Sequence, residues 1–397
     1  LRIRKKSLDA RRKDDIHYVY TVGVTVRGDE QRLVRRCRSA AIAHEKTYPI
    51  PHVAPPETRP VIVGFGPAGM FAALLLARAG ARPIVLERGP DAKTRSAQIA
   101  AFRAGGAFDP ECNVQFGEGG AGTFSDGKLN TGTHDARIGF VLAEFAAHGA
   151  PEHITYDAKP HIGTDVLVEV VQNLRREVIA RGGEVRFGHR MTGLSTQGGR
   201  ITALTVRSPG GEYTLPAQQV ILAIGHSARD TFEMLHAQGV PMEPKPFSMG
   251  VRIEHRQSDI NTAQYGAAAE RLPAADYSLS CHLPDGSSAY TFCMCPGGEV
   301  FAAASEAGGV CTNGMSNSRR DGENANAAVL VTLRPEDFPD KSTLGGMYWQ
   351  RSIEQRAFRC GGGNYHAPAQ RVGDFLAGRA STPPGPVQPT YRPGVTW

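Results

Sequence analysis

An α/β chain is predicted, carrying a Rossmann-like parallel sheet, an inserted mixed α+β domain and a small α/β segment ahead of both. Three observations lead there. An apolar strand, Val61-Ile-Val63, runs into Gly64-x-Gly66-x-x-Gly69, then a helix, then a second strand ending in Glu87. A glycine-rich stretch over residues 105–132 follows, and the apolar run Val220–Ile224, stopping at Gly225, returns the chain to the same sheet. Beyond Pro241 the pattern changes to short strands separated by turns. Alternating strands and helices indicate parallel βαβ units, whereas clustered short strands indicate a mixed unit.

Length and composition agree. A chain of 397 residues exceeds what one hydrophobic core sustains, and 41% apolar with 21% charged residues is ordinary globular usage. No apolar run approaches the roughly 20 residues of a membrane span, and the opening Leu-Arg-Ile-Arg-Lys-Lys lacks a signal-peptide core, so a cytoplasmic protein is expected, with no membrane contact. Because the chain opens inside a charged pattern without Met, its natural start is expected upstream. Seven cysteines without a CxxC pair suggest neither a disulfide framework nor a zinc ribbon, and no metal site is read. The first 50 residues hold 13 Lys and Arg against 6 Asp and Glu, leaving 32 against 33 elsewhere. Any nucleic-acid reading therefore belongs to the leading segment alone.

The elements follow in order. Residues 1–57 form the basic segment, with an alternating strand near His17–Val26 and a linker marked by Pro49, Pro51, Pro55, Pro56 and Pro60. Residues 58–240 form the dinucleotide-binding domain. Its helices are expected at 68–79, near 92–103 and at about 165–180, the last with Leu167, Val170, Val171, Leu174 and Val178 on one face and Gly182-Gly183 as its stop. Glu184–Phe187 is its next strand, and residues 190–215 read as a β-meander broken at Gly198-Gly199 and Pro209-Gly210-Gly211. Residues 241–372 form the mixed domain, with strands near 250–254, 290–294 and 300–304, and residues 373–397 a linker.

Each glycine of the fingerprint has a task. Gly64 permits a tight turn, Gly66 lets a pyrophosphate approach the backbone, and Gly69 lets helix and strand pack closely. The helix N-terminus, including Pro67 and Ala68, offers a positive dipole to the phosphates, and Glu87, with Arg88 beside it, would meet the adenosine ribose. A plain glycine turn is the competing reading, but strand, helix and acid all stand in register. FAD is favoured over NAD(P) by the loop Gly117–Lys128, whose backbone amides could approach a ribityl chain, and by the late strand ending Ala223-Ile-Gly225-His226. This loop contributes Gly119, Gly120, Gly122, Thr123, Asp126 and Lys128, and the late strand Gly225, to the expected cofactor set.

With Val61–Gly69, Asn113–Asn130, Ala223–Asp230 and Phe292-Cys-Met-Cys-Pro-Gly-Gly298 together, the sequence resembles the bacterial NAD(P)/FAD-dependent oxidoreductases grouped as uncharacterised FAD-dependent dehydrogenases; Lys13–Tyr20 is similar too. The resemblance spans most of the chain. It implies a Rossmann-like FAD-binding domain of the glutathione-reductase kind with an inserted substrate domain, and a backbone contact to adenine at Val185. It implies no particular substrate. Such flavoproteins close with a strand, an Ala-Gly-Asp type turn and a helix. Val372-Gly-Asp-Phe375 lacks the preceding apolar strand and is followed by Pro383, Pro384, Pro386 and Pro389, so the closing segment is expected beyond Trp397.

The expected activity is hydride transfer between a small molecule and flavin, with NAD(P)H open as a transient donor because only one fingerprint is present. Flavin carries the electrons, so catalytic residues are hard to read. His226, Arg252 and His282 are the candidates for proton donation or anion binding, with His255 beside them; a structural role is the default for each. Lys128 reads as a charge near the cofactor or as a solvated loop residue, and Arg319-Arg320-Asp321 as a cover for the active site or, by default, a solvated loop; Cys293-Met-Cys295 could hold a redox or metal function, but buried free thiols on one face of a strand are the favoured reading. A flavoprotein that grips RNA through its basic leader, with Tyr18 and Tyr20 as stacking residues, and a flavin-binding module without turnover both stay open, although a solvated surface is favoured for the leader. Nothing in the sequence speaks to oligomeric state.

Overall fold

The computed structural model describes residues 1–44, 47–381 and 385–394; Pro383, Pro384 and Trp397 lie outside them. Alternation in the leading segment produces an antiparallel hairpin, β1 (Arg2–Asp9) and β2 (His17–Gly23), followed by a short helix α1 (Glu30–Arg36). The hairpin is anchored to the body of the protein: Lys6 N donates to Tyr156 O at 2.8 Å and Lys6 O accepts from Ala158 N at 2.8 Å. Among the described residues, the proline-punctuated stretch up to Pro60 holds no regular element, because proline supplies no donor for a ladder or helix.

The central sheet is parallel throughout. β3 (Val61–Val63) begins it, α2 (Pro67–Arg78) crosses to β4 (Ile84–Glu87), and α3 (Ala92–Arg103) leads into the glycine-rich stretch. After α4 (Ala136–Ala147) and α5 (Thr164–Ala180) come β5 (Glu184–Phe187), the meander β6 (Arg190–Gln197), β7 (Arg200–Ser208) and β8 (Gly211–Pro216), then β9 (Val220–Leu222) and α6 (Arg229–Ala237). The strand order is β5-β4-β3-β9. Period-two side-chain direction sends Ile62 and Val85 into one core with α2 and α5, and Val61, Val63, Ile84 and Leu86 into another with the meander and Leu235 of α6. Both faces are covered, which is why these strands read as apolar runs rather than alternating ones.

Helix α5 buries the predicted stripe of Leu167, Val170, Val171, Leu174 and Val178. Helix α4 has no counterpart among the sequence expectations; Phe145 anchors it by packing edge-on to Phe71 of α2 at 5.4 Å. In the glycine-rich stretch, a single 3-10 turn, Gly120–Phe124, forms instead of a wholly irregular loop. Arg95 of α3, fully buried, holds the stretch together: its Nε donates to Asn113 O at 2.9 Å and its Nη1 to Glu118 O and Gly120 O at 2.8 and 2.7 Å. Loop carbonyls without a ladder must find other donors, and one guanidinium serves several.

The mixed unit begins at β10 (Phe247–Arg256), followed by α7 (Gln257–Tyr265), β11 (Ser280–His282), β12 (Ser288–Cys295), β13 (Glu299–Ala303), β14 (Cys311–Met315), β15 (Asn324–Leu333) and α8 (Gly345–Cys360). Four of the strands make an antiparallel sheet in the order β10-β15-β12-β11, and β13 and β14 pair separately. Helix α8 packs back on the parallel-sheet domain: Arg229 of α6, buried, binds the Glu354 carboxylate at 2.8 and 2.9 Å, and Arg351 binds Glu306 and Glu233. Asp374, the acid of the tempting Gly-Asp pair, is buried and held by Arg371, Arg379 and Ser381. Its oxygens are committed to its own segment. No helix among the described residues is long and apolar enough to cross a membrane.

Candidate cofactor site

A cavity of about 730 Å³ opens at the carboxyl ends of β3, β4 and β9. That is where parallel sheets bind nucleotides, because the strand order reverses there and helix N-termini converge. The three fingerprint glycines divide by cause. A Cβ on Gly64, whose φ is +99°, would collide with Ala223 O, and one on Gly69 would collide with Gly64 O. Those two glycines are required by the protein's own packing. At Gly66 the nearest neighbour of such a Cβ is Gly120 Cα at 3.7 Å, an ordinary contact. The fold alone tolerates a side chain there; a group in the cavity would not.

Gly66 is also the N-cap of α2, and no side chain caps it. The first-turn N–H groups are thus left for an anion, with the helix dipole behind them. Glu87 lines the cavity almost buried, and its carboxylate accepts from Phe65 N at 2.8 Å, Gly89 N at 2.9 Å and Gly117 N at 2.9 Å. It fastens the fingerprint turn to the glycine-rich stretch, and of its roughly four acceptor positions about one is left for a ribose hydroxyl. Arg88 also lines the cavity, 4.1 Å above the Phe116 ring, and binds Glu111 and Asp230. Burial opposes its charge, but those two carboxylates raise its pKa above the ordinary value.

Of the remaining expected cofactor residues, Pro67, Ala68, Gly120, Gly122 and Gly225 line this cavity, together with His226. Gly119, Thr123, Asp126, Lys128 and Val185 do not. Gly119 lies in the left-handed region, where its N–H meets Phe65 O at 2.9 Å, and the buried Thr123 hydroxyl donates to Glu118 O at 3.2 Å; both shape the turn behind the wall. Val185 is paired with Val85 in the ladder and packs into the helix-side core. The segment just after β5 takes the wall position instead, through His189, Arg190 and Met191. Sequence spacing located the strand but could not tell that the chain turns toward the cavity only at its end.

The catalytic candidates separate. His226 is exposed at the cavity wall; the protein packed around it, and then the Arg229 charge, lower its pKa against the Glu354 charge, so it is neutral near pH 7. His282 stands exposed on the edge strand β11, bonded to Ser288 Oγ at 2.9 Å, away from the cavity. His255 is bonded to Tyr277 Oη at 2.6 Å within the second unit.

Arg252 joins a different cluster. Lys128 is neither solvated nor at the cavity: its Nζ lies 2.6 Å from buried Asp126, 3.3 Å from Cys295 Sγ and 3.8 Å from Cys293 Sγ. Arg320, read as a solvated loop residue, grips Asp126 with two bonds of 2.8 Å. Arg252 bonds Asn326 Oδ1 and reaches Cys293 O at 3.5 Å. Glu144, His148 and Glu177 also converge with metal-like spacing, but Arg78 already supplies the positive charge, with bonds of 2.6 to 2.9 Å to both carboxylates.

Residues 57–112 match the family described as FAD binding domain, and residues 246–397 match FAD-dependent protein, C-terminal domain-like. An uncharacterized protein of Clostridium beijerinckii is 47% identical over 401 residues, covering 99% of this chain and 74% of that protein. Among solved structures, the glycerol-3-phosphate dehydrogenase from Bacillus halodurans complexed with FAD is 11% identical, covering 77% of this chain and 52% of that one, with a TM-score of 0.35. A geranylgeranyl bacteriochlorophyll reductase-like protein from Thermoplasma acidophilum is 12% identical, covering 75% and 60%, also at 0.35. Likeness at that level bears on neither reaction nor substrate. With both family matches and the Clostridium beijerinckii relative spanning the chain, the protein belongs to the family of FAD-dependent proteins in which an FAD binding domain is joined to this C-terminal domain.

Proposed function

We propose that the chain is an FAD-dependent oxidoreductase, a dehydrogenase in which hydride passes between a small-molecule substrate and the flavin. The observation that carries the reading is Gly66: packing does not require a glycine there, whereas a dinucleotide seated on the helix N-terminus does. Bound FAD would supply the two-electron exchange. The first turn of α2 binds the pyrophosphate through its uncapped N–H groups, and Arg88 adds a fixed positive charge. Glu87 orients the ribose through its remaining acceptor position. His226, neutral and open to the cavity, is the residue to hold or pass a proton at a ring nitrogen.

NAD(P)H belongs to this reading as a visiting donor, the one fingerprint being given to FAD. The free cysteines among the described residues suit a reducing cytoplasm. The test is the visible absorbance of the purified protein, with and without added FAD. Flavin bands that bleach anaerobically with a reduced nicotinamide or an organic donor are the expected result. A colourless protein that takes up no FAD overturns the proposal, and bound flavin that no donor reduces leaves a binding module.

A further inference from the structure

Cys293 and Cys295 occupy a break in their strand. The pairing of β12 with β15 shifts register between Phe292 and Cys295, and Cys293 takes a φ of +46°, rare for any residue with a Cβ. A bulge of this kind re-aims a side chain. Residues i and i+2 of a strand share a face, and both sulfurs reach one ammonium, Lys128 Nζ, at 3.8 and 3.3 Å.

We propose that Cys293 and Cys295 are a redox-active thiol pair that reduces hydroperoxides, Cys293 being the attacking sulfur and Cys295 the resolving one. The division of labour follows from their surroundings. Cys293 is half-buried, so a small oxidant can reach it, whereas Cys295 is buried. The neighbouring Cys295 thiol, whose Sγ donates to Cys293 O at 3.3 Å, pulls the Cys293 pKa below its ordinary value; burial and Asp126 oppose this, and the charges of Lys128 and Arg252 assist it. The hydrogen bond with Cys293, and then burial, push Cys295 far up, so it keeps its proton. The other charged groups of the cluster, Asp126 and Arg320, are paired with each other, and His161, whose Nε2 meets Ser318 O at 3.0 Å, is pushed toward its neutral form by burial and by Arg320. Two buried donors of the cluster, Arg252 Nε and Asn326 Nδ2, lack partners among the described residues; Asn326 stands opposite Cys295 in the ladder.

The chemistry balances with the hydroperoxide as oxidant. The Cys293 thiolate attacks one oxygen, an S–O bond forms, the O–O bond breaks, and the leaving hydroxide or alkoxide takes a proton to become water or alcohol. Cys293 is thereby oxidised by two electrons to the sulfenic acid. The Cys295 thiol then attacks that sulfur, an S–S bond forms, the S–O bond breaks, and hydroxide leaves with the Cys295 proton as water. The inference does not depend on flavin turnover.

The test is alkylation of the native full chain with iodoacetamide across pH, read by peptide mapping, followed by one equivalent of hydrogen peroxide. Cys293 should label at pH 6 at least tenfold faster than exposed Cys281 and Cys360, since the Lys128 and Arg252 charges favour its thiolate. Lys128→Met should erase much of that advantage. Peroxide should link Cys293 to Cys295, and in Cys295→Ser it should stop at a sulfenic acid captured by a 1,3-dione. Labelling of Cys293 no faster than Cys281 in the wild-type protein overturns the proposal, as does rapid labelling with no disulfide after peroxide.

Discussion

Gly66 and Gly120 meet at the mouth of the cavity with unequal tolerance: a Cβ on Gly66 would stand 3.7 Å from Gly120 Cα, whereas one on Gly120 would stand 2.9 Å from Gly66 Cα. The same pair of backbones therefore gives two different outcomes on substitution.

Gly66→Ala should leave thermal stability within about 1 kcal/mol of wild type, because the added methyl finds ordinary contact distances. It should nevertheless weaken FAD retention, and a bulkier Gly66→Val should abolish it. Gly120→Ala, at φ +58° and overpacked, should lower the melting temperature as well. Calorimetry beside the flavin absorbance of each purified variant distinguishes the two; flavin retained in Gly66→Val would contradict the seating of the dinucleotide at this turn.

Arg95→Met should be among the most destabilising single changes in the first domain. It strands the carbonyls of Asn113, Glu118 and Gly120 without their donor, at a cost on the order of 3 kcal/mol. Arg95→Lys should rescue only part, since one ammonium cannot reproduce the guanidinium fork. Urea unfolding of the two variants checks the ranking, and limited proteolysis should place the first new cuts within residues 105–132. A variant as stable as the wild type would mean that solvent replaces the guanidinium at no cost.

What was legible in the sequence was local. Three glycines at fixed spacing, a 3.6-residue stripe on α5 and turn residues around the meander each report their own backbone, so the parallel domain and its cavity follow from them. What was illegible depends on pairings between distant segments. Arg95 looks like any helix arginine until the glycine-rich stretch folds over it. Arg320 reads as solvated, and Lys128 as solvated or beside the cofactor, because nothing local to either shows that both meet the buried carboxylate of Asp126. The bulge at Cys293 leaves no trace in the alternation of Thr291-Phe-Cys-Met-Cys295, and the strand spacing that points to Val185 does not show that the cavity wall is formed by His189–Met191, just beyond the strand.

Acid should loosen the packing of α4 on α2 and α5. Hydrogen bonds from Arg78, reinforced by Arg181 and His148, hold the Glu177 carboxyl at about 2, below its ordinary 4.5. A carboxylate with a depressed folded pKa stabilises the fold above its unfolded pKa and loses that contribution as pH falls through the folded value. The window is therefore pH 4.5 down to about 2, and Glu177→Gln should flatten the pH dependence of stability within it. Unfolding midpoints of wild type and variant between pH 7 and pH 2.5 check this; parallel curves would show that the pair does not couple to folding.

The Arg229–Glu354 pair joins α6, which lines the cavity through Thr231 and Phe232, to α8 of the C-terminal unit. Arg229 is almost wholly buried and Glu354 nearly so, and removing one member of a buried pair leaves the other charge without compensation. Arg229→Met should therefore cost about 3 to 5 kcal/mol, more than Glu354→Gln, because it leaves Glu354 without its cation and takes one of the two cations from Glu306, which keeps Arg351. The double variant Arg229→Met/Glu354→Gln should recover part of the loss, and the size of the recovery in a double-mutant cycle measures the coupling across the two units. Because α6 supplies one wall of the cavity, Arg229→Met should also speed FAD dissociation, whereas Arg351→Met, at a residue that bonds Glu306 and Glu233 from the α8 side, leaves the Arg229–Glu354 pair intact and should change it less. Equal dissociation rates in the two variants would show that the cavity wall is held by α6 packing alone and not by the ion pair beneath it.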